Sequence, residues 1–254
     1  MYVPTDALPD EFQGRRALVT GGSRGIGAAV VRRLLDGSAS VVTSARSAAA
    51  DTPKGATFIA ADLRSASGAE QLARQAAEEL GGLDIVVNAA GAARAYPGGP
   101  AAIPDHEWQD SIDVNFLSAV RVINASLPAL QESGAGAAII NISTGAAKNP
   151  QPPVLHYAAA KAALATYSKG LAKALAPAGI RVNVVTPGPV ETPGGTAILQ
   201  TIADAIGAPL AALAKNVPLG RFGDARDIAE AVAFLVSSRG QWITGAELDV
   251  NGGQ

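Results

Sequence analysis

Short, unalternated apolar runs separated by helical patterns constrain this chain more than any other feature. The runs are RALVT (16–20), SVVTS (40–44), TFIAA (57–61), DIVVNAA (84–90), AAIINIS (137–143), IRVNVVT (180–186) and AELDV (246–250). Helical patterns fill the gaps at 25–36, at 66–80, and from Pro104 or Asp105 to about Glu132. Others run from about 154 to 176, where Pro177 and Gly179 stop the helix, and over 196–214 and 224–238. Strands without polar alternation belong to a parallel sheet covered on both faces. The repeated strand–helix–strand order predicts an α/β, doubly wound parallel sheet of about seven strands with helices on both faces. No internal repeat or linker divides the chain, so 1–254 reads as one domain. Within it, a half from about 14 to 145 precedes a Pro-, Gly- and Ala-rich excursion, 187–223, placed as a flap over a site at the strand ends.

The chain has 254 residues, 48% of them apolar, enough for one sizeable core. Its formal net charge is −2 with no basic block, which argues against a nucleic-acid partner. With no cysteine and two histidines, His106 and His156, no disulfide framework or ordinary metal site is expected. The N-terminal MYVPTDALPDEFQG lacks the basic and apolar regions of a secretory signal, and no run is long enough to span a membrane. The expectation is a cytoplasmic protein.

VTGGSRGIGAAV (19–30) joins the first strand to the first helix. Gly21, Gly25 and Gly27 stand where a backbone needs positive φ or close approach to a ligand. The helix behind them offers free N–H groups and a positive dipole end to a phosphate. The spacing G-x-x-x-G-x-G differs from the commoner dinucleotide fingerprint. The same residues, Gly21 to Gly25, also spell G-x-S-x-G, the elbow of a serine hydrolase. That reading needs a late histidine, and the final 98 residues contain none.

Taken in order along the chain, these and further motifs resemble the short-chain dehydrogenase/reductase family in its classical form, from Gly14 to Gln254. TGGSRGIG resembles the family's cofactor loop, including Ser23, Arg24 and Ile26. Asp62, followed by Leu63, matches an acidic residue that members set against the adenine ring. NAAG (88–91) matches the family's N-N-A-G through Asn88 and Gly91, with Ala89 as a departure. Asn115 matches the catalytic asparagine, and Tyr157 and Lys161 match Y-x-x-x-K. TPGPVET (186–192) resembles the loop beside the nicotinamide, which brings in Pro187, Gly188, Val190 and Thr192. The resemblance implies a Rossmann-type fold and hydride transfer between a nicotinamide cofactor and a ketone or secondary alcohol.

Tyr157 and Lys161 lie one helical turn apart, on one face. Alone, such a pair reads as a packed ring and a snorkelling lysine. Carbonyl reduction gives it another use, because a proton must reach oxygen as hydride reaches carbon. A phenol is a weak acid and a poor base at neutral pH, and a nearby ammonium is expected to lower its pKa. The resemblance implies that Lys161 also holds the nicotinamide ribose and that Asn115 helps hold a water relaying protons to it. The family sets a serine about 13 residues before its tyrosine. Thr144 stands 13 before Tyr157 and Ser143 stands 14 before it. The proline-rich loop between could absorb one residue, so both hydroxyls stay open, with Ser143 preferred because serine is the family's habit.

Members that prefer NAD usually end the second strand with an acid. Here Ala45 and Arg46 stand there, with Arg24 in the glycine loop, and two guanidinium groups suit a 2′-phosphate. NADP(H) is therefore the expected cofactor. His156 beside Tyr157 reads as packing, Arg221 as structural, and the apolar flap as the wall for an apolar carbonyl substrate. By resemblance the chain is expected to form a homotetramer. A non-catalytic NADPH sensor remains the alternative among binding functions.

Overall fold

The computed structural model describes residues 10–134 and 136–254. Seven parallel strands form the central sheet, in the order β3-β2-β1-β4-β5-β6-β9. They are β1 (Arg16–Thr20), β2 (Ser40–Ala45), β3 (Thr57–Ala60), β4 (Ile85–Asn88), β5 (Ala138–Ile142), β6 (Arg181–Pro187) and β9 (Glu247–Val250). A separate two-stranded pair joins β7 (Val190–Glu191) to β8 (Gly223–Asp224). The chain leaves β1 toward β2 and β3, then returns to place β4 on its other side, so the switch point falls between β1 and β4.

Helices cover both faces. α1 (Gly25–Asp36) and α8 (Ala225–Val236) close one face, where Val30, Leu34, Ile228 and Val232 pack on Val19, Ile85 and Ile140. α2 (Ala66–Leu80), α4 (Ser118–Ser133) and α5 (Leu155–Leu175) close the other, where Leu72, Ile123 and Leu130 meet Leu18, Val86 and Ile139. All four residues of β4 and all five of β5 are buried, which is why their sequences show no alternation. Local chemistry sets the helix ends. Ser65 caps α2 and Gly81 ends it in the left-handed region at φ 72°. Asp224 and Asp227 form a reciprocal capping box at α8.

Two helical expectations need correction. The helix expected from about 105 to 132 is α3 (Asp105–Ile112), a wider π turn (Asp113–Leu117), then α4. The turn widens where the Asn115 side chain binds the Ala92 backbone instead of lying along the helix surface. The helix expected over 196–214 begins earlier, at α6 (Pro193–Ala205), and breaks before α7 (Leu210–Ala214). Gly207 adopts φ 64° and Pro209 disfavours helix in the residue before it, so the break has a local cause. The β7–β8 pairing was not legible, being two residues per strand.

Candidate active site

One cavity of about 1070 Å³ runs along the C-terminal edge of the sheet. Its floor is the glycine loop. Gly21 has φ 70°, and a Cβ there would lie 2.7 Å from the Ala90 backbone. A Cβ on Gly27 would stand 2.3 Å from the Gly21 carbonyl oxygen. These glycines let β1, α1 and the strand end after β4 approach one another. α1 begins behind the loop with no side-chain cap, since Arg24 is extended and leaves the first N–H groups facing the cavity. Ser23, Arg24, Gly25 and Ile26 all line this end. The arrangement fits the diphosphate of a dinucleotide.

Arg46 follows directly on β2, and both it and Arg24 line the cavity beside Asp62 and Leu63. Both arginines are exposed, and neither joins an ion pair among the described residues. Asp62 accepts a hydrogen bond from the Arg64 backbone N–H at 3.1 Å, which fixes the turn after β3. On the other side, Ala89, Gly91, Pro187, Gly188, Val190 and Thr192 line the same cavity. Thr192 caps α6 by accepting from Gly195 N–H at 3.0 Å.

Tyr157 and Lys161, on α5, line the middle. Lys161 is 3% exposed, and its Nζ donates to the Ile142 carbonyl at 2.8 Å. Burial without an acidic partner pulls its pKa down to about 8. Burial raises the Tyr157 phenol, opposed by a hydrogen bond with the Thr144 side chain. The lowered phenol expected from the sequence is thus not produced by these protein groups, because desolvation outweighs them.

Thr144 and Ser143 differ. The Thr144 side chain meets Tyr157 and also accepts from Ala146 N–H at 3.3 Å. The Ser143 Oγ is buried and has no hydrogen-bond partner among the described residues. Both residues lie just past the end of β5 and line the cavity, and of the two it is the Thr144 side chain that meets Tyr157.

Two expected residues stand behind the wall. Asn115, 1% exposed, donates to the Ala92 carbonyl at 2.8 Å and accepts from Ala92 N–H at 3.0 Å. Gly91 stands between Asn115 and Lys161, since a Cβ on it would lie 3.1 Å from Asn115 Oδ1 and 3.5 Å from Lys161 Nζ. Asn88 donates to Asn141 Oδ1 at 2.9 Å, and Asn141 donates to Ser168 Oγ at 2.8 Å. This buried chain ties β4 and β5 to the helix that carries Tyr157 and Lys161. The sequence reading missed Asn141 and Ser168. For Asn141 the signal was a polar residue inside a fully buried run, which must find a partner; Ser168, on a helix between Tyr167 and the exposed Lys169, gave none.

His156 packs edge-on against Tyr96 and Trp108, at centroid distances of 5.7 and 6.1 Å. Burial lowers its pKa. His106 lies beside Glu107, 3.8 Å away. Neither histidine lines the cavity with Ser23, so the elbow has no base there. Arg221 holds Asp227 at 2.8 Å, a structural role. No cluster of metal-binding side chains occurs among the described residues, and none of the helices searched there is long and apolar enough to cross a membrane.

A doubly wound sheet with a glycine-floored cleft at its switch point defines the dinucleotide-binding class of α/β proteins. Residues 21–254 match the family described as enoyl-(acyl carrier protein) reductase. A 3-oxoacyl-[acyl-carrier-protein] reductase of Haemophilus influenzae is 38% identical over an alignment 251 residues long that covers 95% of this chain and 98% of that protein. A short-chain dehydrogenase from Burkholderia cenocepacia, solved in complex with NADP, superposes with a TM-score of 0.85 at 33% identity, covering 96% of this chain and 98% of that one. A 3-ketoacyl-(acyl-carrier-protein) reductase from Brucella melitensis, complexed with NADH, gives 0.84 at 29% identity, covering 95% and 98%. The chain belongs to the classical short-chain dehydrogenase/reductase family, and it is an oxidoreductase.

Proposed function

We propose that this protein reduces a ketone to a secondary alcohol with NADPH, and runs the reverse reaction with NADP. The observation that carries this reading is the meeting of Thr144, Tyr157 and Lys161 in the cavity whose floor is the glycine loop. The bound nicotinamide supplies the hydride. The N-terminus of α1 and the glycines seat the diphosphate, and Arg24 and Arg46 bind the 2′-phosphate. Thr144 donates to the carbonyl oxygen and polarises it, with Ser143 serving the strand end.

Tyr157 donates the proton. A phenol raised by burial is the protonated form at neutral pH, which suits the reductive direction. Lys161 lies one turn away, holds the ribose hydroxyls and, while charged, steadies the phenolate left behind. Asn115 acts as a positioning residue, since its amide is committed to Ala92 and Ser111. The widened turn that carries it would seat the water that returns a proton to Lys161. The wall formed by Ile198, Leu199, Ile202, Leu213 and Phe222 favours an apolar body on the substrate. A 3-oxoacyl group has that form and is what the relatives' names specify. The protein is read as a cytoplasmic homotetramer, a state light scattering checks directly.

NADPH oxidation followed against a panel of ketones tests the reading. Turnover of at least one is expected. Tight NADPH binding with no turnover of any would replace it with the sensor reading.

A further inference from the structure

The sheet order separates the two ends of the cavity. Arg24 and Arg46 sit at the β1–β2 end, whereas β5, β6 and β9 form the other. The basic side chains lining the cavity are Arg24, Arg46, Arg64, Lys148 and Lys161. The first three belong to the β1–β3 end, and Lys161 is buried on the Ile142 carbonyl. That leaves Lys148, four residues after Thr144, as the cation of the substrate end.

Lys148 is not free to receive an anion. Its Nζ lies 2.5 Å from Asp249 Oδ1 and 3.5 Å from Glu247 Oε1. Glu247 is also held by Lys169 at 3.1 Å and by the Thr186 hydroxyl at 3.0 Å. Two ammonium and two carboxylate groups thus cancel. Asp249 itself lines the cavity, as do the apolar side chains of Ile198, Leu199, Ile202 and Leu213. A carboxylate entering here would lose water to the aliphatic residues of the lining and meet a carboxylate already paired with Lys148. A neutral carbonyl compound meets neither cost.

We propose that Asp249 determines specificity: by holding Lys148 in a neutral pair, it makes the substrate end select uncharged carbonyl compounds, such as ketones, esters and thioesters, over keto acids. This rests on the reductase reading, and it narrows the substrate class. A simple strut between the loop after β5 and β9 would also join these residues, and the test separates the two.

The probes are levulinate and methyl levulinate, one skeleton with and without a charge. Their kcat/KM values are compared at low salt, and their affinities for the enzyme are measured by calorimetry. Wild type should favour the ester. Asp249→Asn removes the nearer carboxylate from Lys148 and leaves it only a share of Glu247, which Lys169 also holds. The site gains one net positive charge, and the acid-to-ester ratio should rise about tenfold, the scale of one charge-assisted hydrogen bond. Added salt should erode that gain. Lys148→Met/Asp249→Asn should return the ratio to near the wild-type value, and Lys148→Met alone should lower it. A strut would depress both probes together and leave the ratio unmoved. That outcome, or a wild type that prefers levulinate, overturns the proposal. If neither probe nor any other ketone is turned over, the reductase reading fails, and the calorimetric ratio still decides the charge selectivity.

Discussion

The two ends of the cavity are built on different principles. The dinucleotide end is backbone held by a packed sheet: Gly21 and Gly27, which have no room for a Cβ, an uncapped helix start, and β1 and β4 buried almost throughout. The proposed substrate end is lined by the excursion after β6, in which, between 190 and 222, only Val190, Ala203, Val217 and Phe222 are buried. Its shape comes from side chains on two short helices separated by Gly207 and Pro209. A backbone cradle serves one ligand in every member of a family, whereas a side-chain wall can change with the substrate. Tyr157 and Lys161, on α5, line the cavity between the two ends.

The largest expected effect falls on that boundary. Tyr157→Phe keeps the ring and removes the proton donor, so kcat should drop about 10²–10⁴-fold. NADPH affinity, a property of the other end, should hold, as fluorescence titration can show. Because burial raises the phenol, the alcohol-oxidising rate of the wild type should climb with pH into the alkaline range, where the phenolate forms. Turnover near wild type in pure Tyr157→Phe protein would abolish the division of labour drawn here. Next in size is the hydroxyl. Thr144→Val should cost about 10²-fold in kcat, as lost carbonyl-oxygen donors do. Ser143→Ala should cost far less. The opposite order would return the role to Ser143.

The cradle was legible in the sequence because backbone demands leave residue-type signatures. Only glycine meets a positive φ at Gly21 or a close approach at Gly27, and continuous Val and Ile runs reveal strands buried on both faces. Spacing placed Tyr157 and Lys161 on one face. It left Ser143 and Thr144 unresolved, because a strand-end alternation depends on where the strand stops. The form of the excursion after β6 was not legible. Periodicity ran straight through Gly207 and Pro209, since apolar residues continue on both sides of the break. The Lys148–Asp249 pair joins residues 101 apart in sequence, and nothing local announces such a contact.

Lys161 offers a test of stability rather than turnover. In the folded protein it titrates near pH 8, against about 10.5 when unfolded. Between those values the unfolded chain binds more protons, so stability should rise with pH across that window. Below pH 8 both states are protonated, and the fold carries the full cost of a buried ammonium. Lys161→Met removes that cost and leaves the Ile142 carbonyl without its donor. At neutral pH the variant should be more stable by about 1–2 kcal/mol, while losing activity. The gain should shrink as pH approaches 10.5. Denaturant melts at three pH values measure it, and a less stable variant at pH 7 would contradict the sign. A tenfold effect is expected at the cradle's rim, where Arg46→Asp should weaken NADPH about tenfold and NADH much less. An unchanged ratio of the two affinities would detach Arg46 from the 2′-phosphate.

The smallest effect should come from the flap, and it sharpens the contrast most. Leu199 is half-buried and lines the cavity, so Leu199→Ala removes apolar wall without opening a sealed core. Partial burial implies a stability loss of about 1 kcal/mol or less, below the cost of a fully buried leucine. The same lost contact should raise KM for an apolar ketone severalfold, with kcat and NADPH affinity close to wild type. Hydrogen exchange gives the independent reading. Amides of α6 and α7 should exchange faster than those of β4 and β5, because few buried contacts hold the flap closed. Bound substrate should slow the flap amides and leave the strands alone. Equal protection in both regions of the free protein would mean that the flap is as fixed as the cradle, and that the two ends share one mode of construction.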